Sequence, residues 1–425
     1  MIFLIYIIIL QIQIKCELII FPIIINDIPG EKNEKYIYTS FEMGYPRQKV
    51  DAEISFQNSK FHMSQKNLSF TNSTFNILKS ETFSIIPSDI SITESNDTYQ
   101  ASENFYFYTD IKLQNKKKFE SIPILCPFGN NSSLFPIIGL QIENKNKSNN
   151  LINIFKSKNI INNYFWTIKL NDINEGLIII GDLSHDYIIQ FANAYSIKNK
   201  IYWGFHISSI KFSGLTISDY MVGKIEPKIL EIFASYEYII SIEKLFFQNY
   251  IENNICRRIW DIIEGEDVFR FICEKDKFNK SDINDFPSLS IVNIEMNCTF
   301  VFNGEELFME KDDKIIFLIV AKPGRTDDEW IIGRVFLLKY QIVFDNENNL
   351  VGIYRVNNDN KKKELNNKKN RNYYIILIII LIIILLVLIA VFIYMINNNK
   401  GICKSRRKRI SELDDDFIYV PNEEK

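Results

Sequence analysis

Residues 36–63, YIYTSFEMGYPRQKVDAEISFQNSKFHM, decide how the rest of the chain is read. Apolar residues alternate on both sides of Gly44-Tyr45-Pro46-Arg47-Gln48, and Gly and Pro punctuate the middle, so the stretch predicts two strands joined by a turn. The second strand runs through Val50 and Ile54 towards Phe61 and Met63.

Working outward, the chain has 425 residues, a formal charge of -3 and the apolar fraction of a soluble protein. That balance argues against a disordered chain and against a nucleic-acid binder, and the length is enough to bury a large core. Ile, Asn and Lys recur everywhere, so the Asn and Lys runs read as solvated loop.

Both ends point to a membrane. Residues 1–16 hold an apolar run from Ile2 to Leu10 and then a short polar segment, the pattern of a secretory signal peptide. Residues 373–396 contain no charge, and at ~1.5 Å per helical residue they exceed the ~30 Å hydrocarbon core, which predicts one transmembrane helix. Basic residues flank both ends of this span, so the positive-inside bias does not orient it and the signal must. On that basis residues 17–372 face the lumen or the outside, 357–372 form a polar linker, and 397–425 form a cytosolic tail. The expectation is a single-pass type I membrane protein of the secretory pathway, cell surface or endolysosomal system. Eight Asn-x-Ser/Thr sequons fit that placement as glycosylation candidates: Asn67, Asn72, Asn96, Asn130, Asn131, Asn146, Asn279 and Asn297.

Four cysteines lie between the signal and the span, Cys126, Cys256, Cys273 and Cys298. With no Cys-x-x-Cys pair and three histidines in all, neither a metal site nor a cofactor is expected. An oxidising compartment favours a disulfide. Three connectivities remain open, and a bridge among the last three cysteines is favoured because they share one half of the chain.

The region between signal and span also divides into two weakly similar halves. Phe135-Pro136-Ile137-Ile138-Gly139-Leu140 in the first half matches Trp330-Ile331-Ile332-Gly333 in the second, each an apolar-apolar-Gly strand end where Gly admits a close backbone approach. The opening hairpin, with its Gly-x-Pro-x-Gln turn, and residues 330–354, WIIGRVFLLKYQIVFDNENNLVGIY, with Phe336, Tyr340, Phe344, Asp345 and Gly352 in register, resemble the pepsin-like aspartic proteases. Asn163 to Ile168 and Glu175 to Asp182 resemble that family's paired strands closing the first lobe. Tyr202-Trp203-Gly204 resembles the start of its second lobe. The resemblance covers residues 36–356. It implies an all-β, bilobal pepsin-like double barrel with a central cleft, an N-terminal β lobe over 17–190 and a C-terminal β lobe over 191–356.

The resemblance also implies a chemistry, and the residues depart from it. An aspartic protease needs two carboxylates that share a proton, one to activate water and one to protonate the substrate carbonyl. Counted from Gly44, the family's Asp-Thr-Gly-Ser falls on Ser55-Phe56-Gln57-Asn58. The second motif, sought in residues 229–240, ILEIFASYEYII, falls with its Asp on Phe233 and its Gly on Ser235. The flap Tyr falls on Pro87. Shifted carboxylates do not repair the dyad: Asp51 lies ~13 Å along an extended strand from Ser55, Glu231 is one pleat before Phe233, and Glu237 lies beyond the turn. Ser55 with His62 is set aside as a nucleophile and base, since odd spacing on one strand places them on opposite faces and no third group orients the histidine. The expectation is therefore a catalytically inactive relative whose cleft binds an extended peptide or protein, or which serves as a surface scaffold. An active membrane-anchored aspartic endopeptidase is what the resemblance alone implies.

Overall fold

The computed structural model describes residues 18–27, 35–64, 75–86, 98–109, 116–127, 136–141, 150–182, 189–197, 200–217, 221–323 and 329–354. The segments expected to be signal peptide, linker, span and tail lie outside the described residues, as do Pro87 and the sequons at Asn67, Asn72, Asn96, Asn130, Asn131 and Asn146. Among the described residues no helix is long and apolar enough to cross a membrane.

The opening hairpin forms as its alternation predicts. Lys35–Met43 runs antiparallel to Gln48–Ser55, with Tyr38 opposite Glu53 and Met43 opposite Gln48. Ile37, Phe41 and Met43 on one strand and Val50, Ala52 and Ile54 on the other are buried, the period-two signature of a sheet with one face on the core. Gly44 enters the turn at φ +80, and a Cβ there would lie 2.9 Å from Ser80 Oγ, so both backbone and space call for glycine.

Around this hairpin grows a mostly β chain. Among the described residues, a 13-stranded sheet takes in every strand from Ile19–Asp27 to Ile189–Asn193, and a nine-stranded and a four-stranded sheet hold most of the strands that follow. The first sheet contains the pair Phe165–Leu170 and Glu175–Ile180 that the sequence predicted. Its far end is supplied by the last two described strands: Ile342–Asp345 pairs with Phe165–Leu170, and Leu350–Tyr354 pairs with Ile342–Asp345 and Ile189–Asn193. The last strands of the second half thus close the sheet of the first. Asp345 explains its place in the motif, because its Oδ1 accepts the N–H groups of Glu347 and Asn348 and turns the chain into the final strand. Trp166 stacks on Phe344 with centroids 3.9 Å apart, and Trp203 Nε1 donates to Leu140 O at 2.6 Å, so aromatic contacts sew the halves together.

Cys256 and Cys273 form the disulfide, within the trio favoured from sequence. Cys126 and Cys298 stand outside it. Burial pushes the Cys126 thiol up to about 12, which keeps it from the reactive thiolate form. Of the sequons, Asn279 and Asn297 are exposed; Asn279 caps the short helix Lys280–Asn284, and Asn297 occupies a turn at φ 44.

Candidate functional site

Strand register locates the equivalent positions of the two lobes. In the first, Gln48–Ser55 runs parallel to Ile137–Gly139, with Ile54 opposite Ile138 and Ser55 opposite Gly139. The chain turns and returns as Phe61–His62, antiparallel to the same strand, with Phe61 opposite Ile138 and His62 opposite Ile137. In the second, Met221–Ile225 runs parallel to Glu329–Ile332, with Ile225 opposite Ile332. The chain turns and returns as Ile232–Ala234, with Ile232 opposite Ile332 and Phe233 opposite Ile331. Ile54 therefore corresponds to Ile225, Ser55 to Glu226, Gln57 to Lys228, and His62 to Phe233.

The two glycines support this correspondence independently. A Cβ on Gly139 would lie 2.5 Å from Asn58 O and 2.7 Å from Lys60 O. On Gly333 it would lie 2.7 Å from Ile229 O and 2.1 Å from Glu231 O, the matching residues of the other turn. The sequence count onto Phe233 is corrected here. Phe233 belongs to the returning strand and packs in a small apolar cluster with Ile229, Ile263, Val268 and Val320. Glu226 holds the position equivalent to Ser55. The strand-like run Ile229-Leu230 that attracted the count is the buried inside of the turn. The signal that could have found Glu226 is the strand Met221–Ile225 ending just before it, with Ser235 following as the N-cap of the helix Tyr236–Ile242. Ser55 and His62 are likewise on two strands, not one.

Ser55 is 9% exposed and its Oγ accepts the N–H of Asn58 at 3.1 Å. Glu226 is 4% exposed; its Oε2 accepts from Gln57 Nε2 at 2.9 Å and lies 3.8 Å from Lys224 Nζ. Lys228 Nζ donates to Glu53 Oε1 at 2.6 Å and lies over the Tyr36 ring. Burial works against the Lys228 charge, but Glu53, Glu226 and Glu264 outweigh it and hold its pKa above the usual lysine value. The two positions where the family motif has glycine thus carry long polar side chains, and each reaches a carboxylate of the opposite lobe. Beneath them Phe56 packs against Trp166. The two equivalent positions offer one hydroxyl, Ser55, and one carboxyl, Glu226, and Glu226 accepts a hydrogen bond from Gln57 of the other lobe. Among the described residues no cluster of His, Cys, Asp or Glu is placed to hold a metal ion. At the expected flap, Ser84–Ile85 pairs with Ala101 and Ser102 of the strand Thr98–Tyr108.

His62, 6% exposed, makes the first lobe sensitive to acid. Its Nδ1 has no hydrogen-bond partner, and burial, with Lys60 adding to it, pushes the imidazole from its ordinary 6.5 down to about 4. The unfolded chain takes up this proton near 6.5 and the folded chain resists it, so stability is intact above that pH. It is lost as pH falls from 6.5 to about 4, by about 3 kcal/mol in all. His62→Phe, the side chain of the equivalent position 233, is expected to remove this part of the pH slope in urea unfolding compared at pH 7 and 4.

Known proteins share this fold. The eukaryotic aspartyl protease family model matches residues 128–356. No curated protein matches the sequence. Among solved structures, the basic 7S globulin from soybean is similar at TM-score 0.55 and 12% identity, over 80% of this chain and 95% of that one. Conglutin gamma, a basic 7S globulin from lupine seeds, is similar at TM-score 0.56 and 12% identity, with the same coverage. At that identity the globulins show the fold alone, and the family match spans more than half of the sequence. Paired apolar-apolar-Gly strands, crossed turns at their ends and a shared closing sheet are accounted for together: this chain belongs to the eukaryotic aspartyl protease family.

Proposed function

We propose that this chain is a non-catalytic member of its family, a type I membrane protein whose cleft binds an extended peptide or protein segment. One observation carries the reading: Gln57 and Lys228 reach across the lobes to Glu226 and Glu53, so the floor where two carboxylates would share a proton holds Ser55 and one engaged carboxylate. Ser55 Oγ cannot replace a carboxyl, because a hydroxyl in this position neither shares an acidic proton with Glu226 nor returns one to a leaving amine. A groove that binds extended chain through backbone pairing does not depend on the lost group. Glu226 itself is the feature that favours the second reading, an endopeptidase working from a single carboxylate.

Gln57 is exposed and next to Glu226, which makes it the right reporter for cleft binding. With a photoreactive residue at position 57 in cells that express the natural partners, the expected result is a crosslink to another polypeptide. Labelling confined to the chain itself would count against a cleft ligand.

A further inference from the structure

The strand Cys256–Ile263 pairs along its length with Glu266–Glu274, and among the described residues no strand pairs with its other side. Glu274 N donates to Ile255 O at 2.9 Å, which sets the alternation: Arg257, Ile259 and Asp261 exchange ladder bonds with the inner strand, while Arg258 and Trp260 turn their N–H and C=O outwards. Trp260 is 62% exposed and the Arg258 side chain 52%. Outer edges of this kind are ordinarily blunted by charge, and two adjacent arginines blunt this one against any strand that meets them with like charge.

A second copy of the same edge, running antiparallel, meets them with complementary groups. With Ile259 on the two-fold axis, Arg257 faces the partner's Asp261 and Arg258 faces the partner's Trp260, each contact occurring twice. Asp261 Oδ2 lies 3.3 Å from Arg270 Nε as an ion pair and its Oδ1 accepts the N–H of Ile262, and a carboxylate has lone pairs to spare for a further donor. Slipping the register by two residues sets Arg258 against the partner's Arg258 in one direction and Ile259 against the partner's Asp261 in the other. Like charge disfavours the first slip and loss of the Arg257–Asp261 pairing disfavours the second, which selects the register centred on Ile259.

We propose that residues 257–261 form an isologous edge-to-edge seam joining two copies of this chain. The seam is smaller than the ~1,200 Å² of a standard stable interface, so it pairs copies held at high local concentration rather than in dilute solution.

The test is oxidation of cell membranes carrying the full chain with an Ile259→Cys substitution. In a non-hydrogen-bonded antiparallel pair the two Cα atoms lie ~4.5 Å apart, within disulfide reach. The expected result is a shift of the chain to a disulfide-linked dimer that wild type does not show. Arg257→Cys alone should stay monomeric, and co-expressed with Asp261→Cys it should crosslink. Maleimide labelling confirms that the new thiol is accessible. An Ile259→Cys chain that takes up maleimide yet stays monomeric, or crosslinks only to a different polypeptide, overturns the proposal.

Discussion

Arg270→Met is expected to destabilise the fold by about 3–5 kcal/mol, because it strands a buried carboxylate without its cation. Arg270 Nη2 donates to Glu231 Oε1 at 3.0 Å, and the two side chains are only 6% and 9% exposed. Glu231 stands in the second-lobe turn directly before the returning strand, so the stranded charge falls where that turn closes against Gly333. The partner change decides whether the cause is charge or packing. Glu231→Leu added to Arg270→Met removes the orphan charge, and the double variant should regain most of the loss. Urea midpoints for the four proteins give the coupling directly. If the double variant is as unstable as the single one, lost packing is the cause and the electrostatic account fails.

Gly333→Ala carries the second large effect. Its Cβ would sit 2.1 Å from Glu231 O and 2.7 Å from Ile229 O, both backbone atoms of the crossing turn that no rotamer change can move. Overpacking of a site that can relax costs about 1–3 kcal/mol, and this one, walled by main chain, should lie at or beyond the upper end. Gly139→Ala should behave alike, since Asn58 O and Lys60 N lie 2.5 and 2.6 Å from its Cβ position. Gly214→Ala is the control. It has open space and φ +81, so it should lose only the ~1–2 kcal/mol of left-handed backbone strain. A thermal melt in which Gly333→Ala matches the control would mean that the turn yields more easily than its geometry implies.

These effects also mark how far the sequence could be read. The hairpin around Gly44 is legible because alternation and turn residues agree, and its second strand ends at Ser55 opposite Gly139. The strands Phe165–Leu170 and Glu175–Ile180 and the closing motif through Asp345 were legible for the same reason. The second lobe misled the count because its turn carries Ile229 and Leu230, buried residues that read as strand although the ladder has already ended at Ile225. Periodicity cannot separate a buried turn from a short buried strand, and only the pairing of Ile225 and Ile232 with the same Ile332 does so. The bonds from Gln57 to Glu226 and from Lys228 to Glu53 join residues far apart in sequence, and no local pattern announces them. The Cys256–Cys273 bridge was partly legible: the half of the chain was clear, and the partner followed only once the two strands were in register.

Ser55 and Glu226 stand at the equivalent turns of the two lobes, and the proposed loss of catalysis rests on their being a hydroxyl and a carboxyl rather than two carboxylates that share a proton. Inhibitors of the pepstatin type place a hydroxyl between two carboxylates in imitation of the attacked carbonyl, so tight binding depends on the pair that this floor lacks. The most direct measurement is incubation of the purified full-length chain with a mixed peptide library from pH 3 to 7, beside a Glu226→Gln variant. The expected result is no cleavage by either protein at any pH. Pepstatin-sensitive cleavage by the wild-type chain that disappears in Glu226→Gln would contradict it.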